Sequence, residues 1–238
     1  MKSKLFKCAL MLCLLGTGIT GGFSQAFTNL GFESANVSGY SPGAMNVPVG
    51  AALPGWTAFA ISISAGSNAL SQVWYDGVST GGTGISINDA NAPFPTAFGP
   101  ITGQYSVYLF AGEGDATLEN AGISQTGLVP AGTESLGVQV GHASSPFIIT
   151  LGGQIINMVP EAILPTHTEY VGDISAFADK VETLTITETF PTTGAPPGIM
   201  SLDNIVFSTT PVPEPGMLAL VAAGAVLFGL RRWRKGLP

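Results

Sequence analysis

The chain of 238 residues holds two cysteines, Cys8 and Cys13, both inside an apolar run near the N-terminus. From Phe27 onward there is no thiol, which excludes a disulfide framework, a Cys-ligated zinc and a cysteine nucleophile there. Positive charge is almost as scarce. Between Phe27 and Pro211 the one Lys or Arg is Lys180, set against fourteen carboxylates from Glu33 to Asp203, a formal −13. Such a body cannot neutralise phosphates, which takes clustered Lys and Arg, so nucleic acid is excluded as a partner. Histidine is limited to His142 and His167, in "GHASSP" and "LPTHTEY". Neither forms the H-E-x-x-H pattern, and no G-x-S-x-G elbow, P-loop or dinucleotide fingerprint is present. No catalytic residue is therefore assigned, and the chain reads as a non-enzyme.

The other basic residues sit at the two ends. Lys2, Lys4 and Lys7 precede an apolar stretch from about Cys8 to Leu15, followed by small residues ending Ser24-Gln25-Ala26. This is the tripartite pattern of a secretory signal helix over residues 1–26, cut by signal peptidase between Ala26 and Phe27. The apolar core is too short to span a bilayer comfortably as an uncleaved anchor.

At the other end, Val212-Pro213-Glu214-Pro215 opens a segment over residues 211–238. An uncharged run, Gly216–Leu230, and the basic group Arg231, Arg232, Arg234 and Lys235 follow. The run is expected to form a transmembrane helix extended by Trp233 at the interface, with the basic group as a cytoplasmic stop. That topology puts residues 27–210 outside, in agreement with the N-terminal signal. The order of triplet, helix and basic end resembles the PEP-CTERM sorting signal, which is also catalogued as an ice-binding-type C-terminal domain. The resemblance implies an exosortase as processing partner, with Pro213, Glu214 and Pro215 marking the processing region. It also implies a protein anchored for a time in the inner membrane, then placed at the surface or in the extracellular matrix of an exopolysaccharide-making Gram-negative bacterium.

Between the ends, short β-rich stretches alternate with Gly, Pro, Asn and Asp clusters. "YSVYLF" (105–110), "FIITLGGQII" (147–156), "VETLTITETF" (181–190) and "LDNIVFS" (202–208) are the clearest. In "TLTIT", Leu184 and Ile186 point one way and Thr183, Thr185 and Thr187 the other, the period of a half-buried strand. No stretch of the body keeps helical periodicity over three turns. Residues 77–100 read as long surface loops. The expected fold is all-β, a single jelly-roll-like β-sandwich over residues 27–210.

The opening "NLGFES" (29–34) with "LPGW" (53–56), and the closing "GDISAFADKVETLTIT" (172–187) with "LDNIVFS", resemble galactose-binding-like jelly rolls and carbohydrate-binding modules. That resemblance implies a structural calcium shared by Glu33 and Asp203; here Asn204 stands where such modules often have a second acid. Sugar rings stack on aromatic faces, and Trp74 and Tyr75 in "QVWYDG" are the candidate platform, while Trp56 reads as core. The expected role is structural or adhesive within extracellular polysaccharide, with weak carbohydrate binding. The alternative is a polysaccharide-active glycoside hydrolase or lyase on the same fold, for which Glu113 and Asp115 are the nearest carboxylate pair.

Overall fold

The structure is a computed structural model that describes residues 25–62, 66–77, 82–92, 99–114, 117–190 and 198–212. The signal helix, the Pro-Glu-Pro triplet, the membrane helix and the basic group Arg231, Arg232, Arg234 and Lys235 lie outside these residues. Among the described residues no helix is long and apolar enough to cross a membrane.

The body is all-β. Among the described residues helix is limited to a single turn, α1 (Val49–Ala52), and a 3-10 turn at Ser175–Phe177. One sheet runs in the order β10 (Gln154–Ile155), β9 (Phe147–Leu151), β13 (Val181–Glu188), β7 (Thr117–Leu128), β2 (Thr57–Ser62), β3 (Gly66–Ala69). The second runs β1 (Ala44–Pro48), β4 (Gln72–Tyr75), β5 (Gly84–Asn88), β6 (Ser106–Gly114), β14 (Gly198–Ser208), β8 (Ser135–Gly141), β12 (Thr168–Asp173), β11 (Val159–Ile163). Pairing is antiparallel except between β4 and β5. The long strand β6 joins the two sheets. Its first residues pair with β5 and β14, and its end, Gly112–Gly114, pairs with β7.

The inward faces close on one core. Ala58, Ile123, Ile149, Leu184 and Ile186 of the first sheet meet Ile87, Leu109, Val138, Met200 and Leu202 of the second, all buried. Burying such side chains stabilises by roughly 1.5–3 kcal/mol each before chain entropy is counted. Leu184 and Ile186 are fully buried while Thr183 is exposed, so the period-2 reading of "TLTIT" holds. Trp56 is 5% exposed in this core, and its indole N–H donates to the Asn29 carbonyl at 3.1 Å.

Three local expectations are corrected. "GISIN" inside residues 77–100 is not loop but β5, buried at every position, because Ile85 and Ile87 enter the core and the outward Ser86 hydroxyl is taken up by the Trp74 carbonyl and the Gly77 N–H. "FIITLGGQII" is not one strand. Gly152 and Gly153 both take positive φ (58° and 78°), the two-residue hairpin turn that glycine permits, and the chain folds back as β9 and β10. Glu113 and Gly114 are likewise strand rather than loop, the end of β6, and Thr117–Glu119 open β7.

The outer face of the second sheet is covered over part of its width. Alternate residues of β6 feed the core (Val107, Leu109), yet Ser106, Tyr108 and Phe110 on the other face are also fully buried. The segment Gly99–Tyr105 lies over them: the Tyr108 hydroxyl donates to the Gly99 carbonyl at 3.1 Å.

Candidate functional site

Strand register sets a row of polar side chains across the outer face of the second sheet. Asn88 stands opposite Ser106, and Gln139 stands opposite Asp203 on one side and Glu169 on the other. Ser106 and Asp203 complete the row, with the serine hydroxyl donating to Asp203 Oδ2 at 2.8 Å. The logic is period 2: Leu136, Val138 and Val140 of β8 go to the core, so Ser135, Gly137 and Gln139 face outward.

The row has a covered half and an open half. On the covered side, Asp203 Oδ2 accepts from the Thr102 N–H (2.9 Å), the Thr102 hydroxyl (3.1 Å) and Ser106, while Oδ1 accepts from the Asn204 N–H (2.7 Å). Burial pushes this carboxyl up, against the pull of those donors. Glu33 grips the same segment: its carboxylate takes the Gln104 N–H at 2.9 Å and the Tyr105 N–H at 3.2 Å. Gly103, just before them, adopts φ 62°, where another side chain would be strained and its Cβ would crowd the Glu33 carboxylate. Glu33 and Asp203, expected to share a calcium, are thus brought to one segment, where N–H and O–H donors occupy their oxygens. Among the described residues no group of three or more His, Asp and Glu is placed to hold a metal ion.

The open half is a shallow groove of about 310 Å³ between β8, β11, β12 and β14. Its floor is apolar, from Gly137, Val171 and Val206. Gln139, Asn204, Glu161 and Glu169 stand around it. A β-bulge between Asp203 and Val206 turns Ile205 into the core and Asn204, at φ 45°, out toward the groove. The Gln139 amide donates to Glu169 Oε1 at 3.3 Å, while its own carbonyl oxygen is buried without a partner. His167, beside Glu169 at 3.7 Å, keeps its side chain 9% exposed and packs inward next to the groove. His142 is exposed, as its loop implied.

Trp74 and Tyr75 go to different work. The Trp74 ring lies over Gly77, where a Cβ would come within 2.7 Å of it. Tyr75 packs against the core, and its hydroxyl donates to Asp89 Oδ2 at 2.8 Å. Burial, then that carboxylate partner, pushes the Tyr75 phenol up. Both aromatics are half-buried. Asp76 and Asp89 beside them are buried as well. Burial lifts the Asp76 carboxyl to about 6. Asp89 feels the same burial, but hydrogen bonds from Asn91 and Tyr75 hold it below the usual range.

The groove residues Gln139 and Glu169 escaped the sequence reading. The signal for Gln139 was the alternation in "SLGVQVG" once β8 is recognised as a strand; Glu169 on β12 follows only from the pairing of β12 with β8.

At the N-terminal edge, the Leu128 N–H donates to the Gln25 carbonyl at 2.9 Å, and Phe27 stacks on Phe207 with ring centres 4.9 Å apart. At the other edge, β14 leads within three residues into the segment that matches the family model for the PEP-CTERM protein-sorting motif, residues 211–235. The chain carries a PEP-CTERM sorting motif. It is accordingly an exported protein, held in the membrane before processing and directed to the cell surface. No curated protein matches the chain. Among solved structures, TmCBM61 in complex with beta-1,4-galactotriose is similar at a TM-score of 0.42 and 15% identity, over 77% of this chain and 97% of that one. A beta-glucosidase from Kluyveromyces marxianus is similar at 0.30 and 10%, over 78% of this chain and 20% of that one. At these scores neither likeness bears on function.

Proposed function

We propose that this PEP-CTERM protein is a non-catalytic component of the cell surface or extracellular matrix that binds polysaccharide through the groove on its second sheet. The sorting motif at residues 211–235 supports the destination. The groove itself supports the ligand. Its apolar floor of Gly137, Val171 and Val206 suits the C–H face of a sugar ring, and its amides and carboxylates can exchange hydrogen bonds with ring hydroxyls. The unpartnered Gln139 carbonyl is an acceptor waiting for such a donor. With Lys180 as the sole Lys or Arg of the body, neutral glycans fit better than sulfated or carboxylated ones.

The test is glycan binding by the chain and by Gly137→Phe. Around Gly137 a Cβ meets nothing closer than 3.9 Å, so a side chain enters the groove without straining the fold. The expected result is a loss of binding of tenfold or more with an unchanged melting temperature. Neutral-glycan binding that survives this change would remove the groove from the proposal. Sorting has its own test: in a host with an exosortase, alanine at Pro213, Glu214 and Pro215 should leave the chain in the membrane fraction while the wild type is released.

Because Glu161 and Glu169 both border the groove, a hydrolase reading stays worth separating. Falling viscosity of the bound polymer, lost in Glu169→Gln, would favour it; steady viscosity with binding supports the module.

A further inference from the structure

The groove on the second sheet has a chemical bias, set in part by two bulges on its opposite walls. One, between Asp203 and Val206 on β14, turns Asn204 outward. The other lies on β11, where the register against β12 shifts between Pro160 and Ala162 and leaves Glu161 as the extra residue. Glu161 lines the groove together with Glu169, which stands opposite Ala162. Both carboxylates are within reach of a ligand: Glu161 is exposed, and the Glu169 side chain is 38% exposed.

Two of the donors beside them are already engaged. The Gln139 amide donates to Glu169 Oε1 at 3.3 Å, and the Ser135 hydroxyl donates to the Thr210 carbonyl at 2.7 Å. Lys180 donates to the Ala176 carbonyl, so no Lys or Arg of the body balances Glu161 and Glu169. Among the described residues the cation nearest to them is His167, 3.7 Å from Glu169 Oε1 and charged only when protonated. What the groove offers is therefore weighted toward acceptors. Ionised carboxylates accept and do not donate. Gln139 is 9% exposed, and its carbonyl oxygen is buried with no hydrogen-bond partner, which is costly until a donor reaches it. A sugar hydroxyl brings one proton to such a site. An ammonium group brings three together with a positive charge, and hydrogen bonds between ionised partners are the stronger kind.

We propose that the groove selects glycans bearing free amino groups, with Glu161, Glu169 and the Gln139 carbonyl oxygen receiving the ammonium. The selection rests on the glycan-binding reading of the groove and narrows it to amino sugars. The scarcity of Lys and Arg disfavours anionic glycans without choosing between neutral and cationic ones; the acceptors of the groove make that choice.

The experiment is calorimetry of the full chain at about pH 6 with three β-1,4-linked tetramers that differ only at C2, those of glucosamine, N-acetylglucosamine and glucose. The glucosamine tetramer should bind about tenfold more tightly than either neutral one, and sodium chloride should erode that advantage. Glu169→Gln should remove most of the advantage. Gly137→Phe should abolish binding of the glucosamine tetramer, because diffuse attraction to an acidic body would survive that change and a seat in the groove would not. Amine binding that persists in Gly137→Phe overturns the proposal, as does an advantage untouched by Glu169→Gln. Neutral tetramers that bind as tightly as the glucosamine one overturn the amino-sugar selection and leave the glycan reading standing. Binding of none of the three overturns the selection too, and the neutral-glycan test of Gly137→Phe then decides the glycan reading by itself.

Discussion

Asp203→Ala will lower the stability of the domain by about 3–5 kcal/mol, the cost of stripping a buried acceptor from several donors at once. The carboxylate lies beneath the segment Gly99–Tyr105, fully buried, and collects two N–H and two O–H donors. Alanine leaves those donors facing a cavity, and the covering segment loses its deepest anchor. Asp203→Asn should cost less, about 1–2 kcal/mol: its amide oxygen can take the place of Oδ2, and only the contact with the Asn204 N–H turns from attraction to repulsion. Urea denaturation checks both values. Repeated with EDTA and with calcium, the difference between wild type and variant should stay the same, as expected for a carboxylate engaged by hydrogen bonds. A difference that appears only with calcium would instead support the metal role that the sequence resemblance implied.

The second large effect is a pH dependence centred on Glu188. Its side chain is fully buried on β13, Ser145 donates its hydroxyl to Oε1, and Oε2 has no partner. Gly198 closes the space, since a Cβ there would lie 2.8 Å from Oε1. Burial, opposed by the serine, lifts the carboxyl from an ordinary 4.5 to about 7. Below pH 4.5 both folded and unfolded chains carry the proton, and nothing is lost. From there to about pH 7 the unfolded chain releases it while the folded chain keeps it, so stability falls as pH rises, by about 3 kcal/mol in total. Above pH 7 the curve is level for this group. Glu188→Gln has no proton to release and should remove that slope. Denaturant midpoints at pH 5 and pH 8 for both proteins give the answer. An identical pH response in the two would show that the carboxyl ionises without cost.

How much of this was legible in the sequence depended on how local the information was. The alternation in "TLTIT" is written within five residues, and β13 followed from it. The tail was legible for the same reason, since triplet, apolar run and basic group are contiguous. Strand β5 was not legible, because "GISIN" sits in a sea of Gly, Pro and Asn, and its burial depends on pairing with β4 and β6, which lie far from it in the chain. The polar row was out of reach for a different cause. Gln139 and Asp203 are neighbours only through the pairing of β8 with β14, and a bulge shifts that register just where Asn204 turns outward. Glu33 and Asp203 both hold the segment Thr102–Tyr105, a contact between residues far apart in the chain that no local pattern encodes.

Strand β14 has a mechanical consequence. It is hydrogen-bonded along one edge to β6 and along the other to β8, and the sorting motif begins three residues beyond its end. A tug on the C-terminus, from a membrane or from a surface polymer joined there, therefore runs along the length of a central strand. Both ladders are loaded in shear, so many bonds must yield together, whereas a strand at the rim would unzip one bond at a time. A load applied at that end is thus shared by two ladders of hydrogen bonds.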